Sequence, residues 1–151
     1  MASRSLFSAQ IAPSARTIAL SLLVESFDSE EGVDVLLERA LAQSSFDGRE
    51  RALTVELTYG VLRRLATIDW RLGPALDKPL LRLPVAVQMV LRLGAYQLLF
   101  LDRIPQSAAV NESVNLARAF TSRLGRDWSG FVNAVLRAFL RHPPQPWPSM
   151  D

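Results

Sequence analysis

The chain has 151 residues, 49% hydrophobic and 21% charged, which is the composition of one folded domain, or a domain with a tail, and excludes a disordered chain. It has no cysteine and a single histidine, His142, which excludes disulfides, thiolate metal sites and cysteine nucleophiles and leaves little for histidine acid–base chemistry. The formal net charge is +2, yet 16 of the 17 basic residues are arginine, a bias that suits phosphate and base contacts and is equally the usage of a GC-rich genome.

Residues 1–13, MASRSLFSAQIAP, hold no apolar run long enough for a signal peptide and read as a flexible N-terminus. Ser14 can cap a first helix with Ala15, Ile18, Ala19, Leu22, Leu23 and Phe27 on one face. Glu30 and Glu31 before Gly32 read as a solvated turn. A second helix, about Val33 to Ala42, turns Val33, Leu36, Leu37, Ala40 and Leu41 inward. Asp47 and Glu50 form a capping-box pattern ahead of a third, Gly48 to Leu65. A short helical segment over Ala66 to Leu72 precedes a stretch broken by Gly73, Pro74 and Pro79.

Pro84 then opens the most hydrophobic segment, Val85 to Leu101. With Gln88, Arg92 and Gln97 inside it, this segment falls short of the ~20 clean apolar residues of a membrane span and reads as a central buried helix. Pro105 opens the next helix, with Val110, Val114, Ala117 and Phe120 inward. The last, about Trp128 to Arg141, buries Phe131, Val132, Val135, Leu136 and Phe139 and ends at His142. Four prolines crowd residues 143–151, PPQPWPSMD, which read as an extended linker in which Trp147 would pack on something downstream. No stretch alternates with period two. The predicted fold is all-α, with about seven helices.

Catalytic patterns are lacking. The seven glycines are isolated, so there is no phosphate loop, and no metal-ligand spacing exists. Charge is uneven: residues 1–62 hold five basic and nine acidic groups, residues 63–142 twelve basic and five acidic, an asymmetry that points to a polyanionic partner for the second half. The exposed arginines that could neutralise phosphates are Arg63 and Arg64 at a helix end, Arg123 and Arg126 in a turn with Gly125, Arg137 and Arg141 on one face of the last helix, and Arg16 near the start. Arg92, Asn111, Glu112 and Asn133 are read as structural polar groups, with RNA contact the alternative for the last three, and Arg92 is expected to pair with Glu112. Tyr59 and Tyr96 read as core, and Gly60 and Gly94 as points of close helix approach.

The segments RLGAYQLLFLDRIPQSAAVNESVNLARAF (92–120), FVNAVLR (131–137) and ELTYGVLRR (56–64), the Ile104-Pro105…Asn111-Glu112 pattern, and more loosely ARTIALSLL (15–23), resemble the NusB-like RNA-binding domain. Within it they look most like the N-terminal domain of bacterial 16S rRNA cytosine-5 methyltransferases. The resemblance spans about residues 14–141 and implies two small helical bundles packed together and RNA, ribosomal in the methyltransferase reading, as partner; the lack of cysteine suits a reducing cytoplasm, and the residues offer no metal site and no membrane span. A catalytic domain with S-adenosylmethionine and catalytic cysteines would lie beyond residue 151 and be the second partner, this part being no enzyme. Two other readings stand beside it. One is a freestanding antitermination factor that binds RNA and a ribosomal protein; the other is a helical interaction module without RNA affinity. The antitermination factor resembles FVNGVL where this chain has Ala134, and it carries an N-terminal arginine-rich run where this chain has only Arg4 and Arg16. The proline-rich end favours the methyltransferase reading.

Overall fold

A computed structural model describes residues 12–142. The expected linker at 143–151, with Trp147, and the N-terminal residues before 12 lie outside the described residues. Seven α-helices follow one another: α1 (Ala15–Asp28), α2 (Val33–Gln43), α3 (Gly48–Arg63), α4 (Leu65–Leu72), α5 (Val85–Phe100), α6 (Gln106–Thr121) and α7 (Ser129–Arg141). Single 3-10 turns cover Gly73–Ala75 and Leu80–Arg82 before α5, and Ser122–Leu124 after α6. No strand occurs among the described residues.

The helix starts follow local chemistry. Ser14 caps α1 through a reciprocal box with Thr17: the Thr17 N–H donates to Ser14 Oγ at 3.2 Å and the Ser14 N–H to Thr17 Oγ1 at 2.7 Å. Asp47 caps α3 by accepting from the Glu50 N–H at 2.8 Å. The Glu50 carboxylate does not complete the expected box. It accepts instead from the Ala15 N–H at 3.1 Å and so serves the first turn of α1, where orphan amides and the dipole favour an anion. Pro84 and Pro105 sit as caps one residue before α5 and α6 rather than inside their first turns.

α5 is the axle. Every residue from Ala86 to Gln97 is buried, as the sequence predicts. α1 and α3 pack on one side of it, α6 and α7 on the other, and one apolar cluster runs through both bundles from Leu20 and Leu57 to Phe120 and Leu136. Each such leucine removed from water contributes ~1.5–3 kcal/mol. Gly60 and Gly94 let the helices close in: a Cβ on Gly60 would lie 2.2 Å from Tyr96 Cζ, and one on Gly94 2.6 Å from Ser113 Oγ. Gln97, buried within α5, donates to the Leu93 carbonyl and accepts from Arg16 Nε at 2.8 Å.

Several expectations are corrected. Arg92, 3% exposed, does not pair with Glu112. Its Nε and Nη2 donate to the two carboxylate oxygens of Asp69 on α4, both at 2.8 Å, and Nη1 donates to Gln88 Oε1 at 3.2 Å. Asn111 and Glu112 are exposed on α6, whose buried face runs through Ala109, Val110, Ser113, Leu116 and Ala117. Phe27 keeps the core spacing of α1 but is 55% exposed, because α1 runs past the edge of the core. The third helix stops at Arg63 rather than Leu65, and Phe131 is only half-buried. No helix among the described residues is long and apolar enough to cross a membrane.

Candidate nucleic-acid interface

The predicted arginines fall into three places. The first is where α3 and α5 end. Arg63 and Arg64 are exposed at the close of α3. The Arg64 guanidinium lies 4.9 Å from the centre of the Phe100 ring, in cation–π range, and Phe100 stands 5.3 Å from Tyr96 in a tilted pair. Arg103, in the loop after α5, reaches back to Glu56 of α3 at 3.1 Å with its side chain 71% exposed. Tyr96 is buried against Gly60, and burial pushes its phenol up from 10.0; the Glu56 charge raises it further, while Arg63 and Arg64 pull it down. Arg16, half-buried and bonded to Gln97, joins α5 one residue further along. Arg64 and Arg16 thus meet the last turn and a half of α5, with Arg63 next to Arg64 in the chain and Arg103 on Glu56 of α3.

The second place is the turn between α6 and α7. Gly125 takes φ +85, a left-handed conformation that a side chain resists. Arg126 then stacks on Trp128, with 3.6 Å from guanidinium carbon to ring centre, and Trp128 meets Phe131 edge-on at 5.3 Å. Arg123 is exposed beside them. Asp127 accepts from the Ser129 N–H at 2.8 Å, and that bond holds its carboxyl below 3.8. The third place is α7 itself, where Arg137 and Arg141 are exposed on one ridge and Arg137 Nε donates to Asn133 Oδ1 at 2.9 Å. Asn133 is thereby satisfied locally.

Sequence reasoning missed Phe100, Arg103 and Trp128 as members of these groups. Arg103, three residues past Phe100, and Trp128, two past Arg126, carry the signal in the sequence. Gly60, Gly94 and Gly125 serve helix packing and a turn, no strand–loop–helix cradle exists among the described residues, and the chain has no cysteine. No cluster of three or more metal-ligating side chains occurs among the described residues.

The profile of the NusB family matches residues 13–141. The chain belongs to the NusB family. It is 36% identical over 132 residues to a probable ribosomal RNA small subunit methyltransferase B of Synechocystis sp., covering 87% of this chain and 29% of that protein. It is 31% identical over 122 residues to the transcription antitermination protein NusB of Shewanella amazonensis, covering 81% of this chain and 89% of that protein. Among solved structures, T. maritima NusB superposes with a TM-score of 0.72 at 30% identity, covering 88% of this chain and 94% of that one. The chain therefore spans under a third of the length of the methyltransferase relative and most of the length of the NusB proteins.

Proposed function

We propose that this chain is an RNA-binding domain that helps dock ribosomal RNA for a longer small-subunit rRNA cytosine-5 methyltransferase. Methyl transfer and S-adenosylmethionine belong, in this reading, to a catalytic domain outside these residues. The observation that carries it is the Arg64 guanidinium over Phe100, with exposed Arg63 next to it in the chain and Arg103 on Glu56, where α3 and α5 end. Guanidinium forks pair with phosphates, and an arginine already layered on an aromatic ring offers a flat face to an unpaired base. The identity to a ribosomal RNA methyltransferase supports the ligand, and the 29% share of that relative supports a domain of a larger enzyme.

A second reading, a freestanding antitermination factor that binds RNA with a ribosomal protein, is favoured by the 89% coverage of the Shewanella protein. The length of the reading frame separates the two.

The experiment is titration of labelled single-stranded ribosomal RNA at two salt concentrations. Each phosphate contact on a single strand contributes about −0.7 to the log–log slope. Replacing Arg63 and Arg64 by glutamine should weaken all RNAs about equally and flatten the slope by roughly 1.4. Matching double replacements, Arg123 with Arg126 and Arg137 with Arg141, test the other two places. Arg39→Gln, on the acidic half, is the control. No RNA binding at either salt concentration leaves the interaction-module reading, and an unchanged Arg63/Arg64 double variant removes this face from the RNA site.

A further inference from the structure

The smaller of the two apolar clusters leaves a groove open. α2 is held to the rest of the domain mainly by Leu36, Leu37 and Leu41 against Leu22 of α1, apart from the main core. Between α2 and α3 lies a cavity of about 480 Å³, floored by Leu37, Leu41, Val55 and Tyr59. Asp34 and Glu38 of α2, both exposed, form one rim. Arg51 forms part of the other, but its Nη1 donates to the Leu41 carbonyl at 3.0 Å and so closes the last turn of α2. Outside the groove, Phe27 and Val35 are 55% and 43% exposed. Residues 25–39 contain six carboxylates against one arginine, Arg39, which pairs with Glu31 at 2.6 Å and leaves Asp34 and Glu38 out of that pair.

We propose that this groove docks a basic amphipathic helix of another protein. The floor would take apolar side chains spaced three and four apart, and Asp34 and Glu38, one turn from each other, would meet lysines or arginines on the flanks of that helix. The eleven residues of α2 give a trough of about 16 Å, the length of three helical turns. Charge selects the class of partner. Carboxylates along the rim repel RNA phosphates and anionic lipid alike and attract a basic polypeptide. A second copy of this chain offers no such helix among the described residues, because the apolar face of its basic helix α7 (Val132, Val135, Leu136 and Phe139) is already buried in its own core. Protein and RNA would then be held on separate faces, each by the sign of its charge. The groove's role does not depend on RNA binding.

The test uses the whole chain and a labelled 18-residue helical peptide with leucine on one face and lysine on the other, against its isomer with glutamate for lysine. Fluorescence anisotropy should show saturable binding of the lysine peptide and none of the glutamate peptide. Amide shifts on addition should concentrate between Asp34 and Ala42 and between Arg51 and Tyr59. Two variants alter only exposed residues: the Asp34→Lys, Glu38→Lys pair reverses the rim, and Ala42→Arg obstructs its end. Each should keep its helical circular dichroism and weaken the lysine peptide at least about tenfold. No saturation by about 1 mM, equal binding of the two peptides, shifts located elsewhere, or folded variants that bind as before would each overturn the proposal.

Discussion

Removing the Asp69 carboxylate should destabilise the domain by about 2–4 kcal/mol, through Arg92 rather than through Asp69 itself. Arg92 sits in the middle of α5 at 3% exposure, and Asp69 accepts two charge-assisted hydrogen bonds from it, both at 2.8 Å. Breaking a fully buried pair from one side costs ~3–5 kcal/mol, because the remaining charge is stranded. Two features lower that figure here. The Asp69 side chain is 32% exposed, so water can replace part of what it provides, and Gln88 Oε1 still accepts from Nη1 at 3.2 Å.

The assay is urea unfolding followed at 222 nm for Asp69→Ala, Arg92→Met, and the combined Asp69→Leu with Arg92→Met. Arg92→Met removes the buried charge and leaves a half-buried carboxylate near water, so it should cost less than Asp69→Ala. The combined variant should return to within ~1.5 kcal/mol of the parent, since an apolar pair of similar volume commonly replaces an ion pair without loss. Glu112→Ala should change stability by under ~0.5 kcal/mol, as an exposed substitution does. An Asp69→Ala variant that loses less than ~1 kcal/mol, or a Glu112→Ala variant that loses as much as Asp69→Ala, would refute the pairing.

Gly60→Ala should destabilise by ~1–3 kcal/mol despite alanine's better helix propensity, because the new Cβ meets the buried Tyr96 ring at 2.2 Å; in a Tyr96→Leu background most of that penalty should vanish in thermal melts. Asp127 has a folded pKa below its ordinary 3.8, chiefly through the Ser129 N–H, so its contribution is present above that value and is lost as pH falls through the lower folded one. Asp127→Asn should therefore separate from the parent in melts at neutral pH, and the two curves should converge at strongly acid pH.

The helices were legible because proline spacing and 3.6-residue periodicity act locally. The segment Val85 to Leu101 is apolar nearly all round, with Gln88, Arg92 and Gln97 inside it, and so reads as an internal helix; α5 is buried over twelve successive residues. What periodicity does not give is the neighbour. Arg92 had to be paired, but its carboxylate lies 23 residues upstream on the short helix α4, across a broken stretch with no helical phase to carry register. The wheel of α6 did hold a warning: Glu112 shares its side with Asn111, Asn115 and Arg118, opposite Ala109, Ser113 and Ala117. Glu50 shows the other kind of miss, a local capping rule overridden when a neighbouring helix start, at Ala15, offered a better donor. Arg63 and Arg64 were readable as exposed helix-end cations, while their convergence with Phe100 and Arg103 required knowing that α3 and α5 finish side by side.

That convergence sets how much charge the face can offer to RNA. The last carbonyls of α5 have no partners within their own helix, and that end behaves as about half a negative charge. The end of α3 adds little, because α4 starts at the same residue, Arg64, and its positive N-terminus offsets the α3 dipole. Arg16, Arg63, Arg64 and Arg103 bring four positive charges to this end of the domain, of which Glu56 engages one and the α5 end offsets about half of another. Between about two and three remain for RNA, so this face should contribute a salt slope between about −1.4 and −2.1, against the −2.8 that four independent phosphate contacts would give. The Arg63 and Arg64 double replacement should then remove most of this face's share. A measured slope steeper than about −2.8 would mean that the turn at Arg123 and Arg126, or the ridge of α7, touches the same RNA.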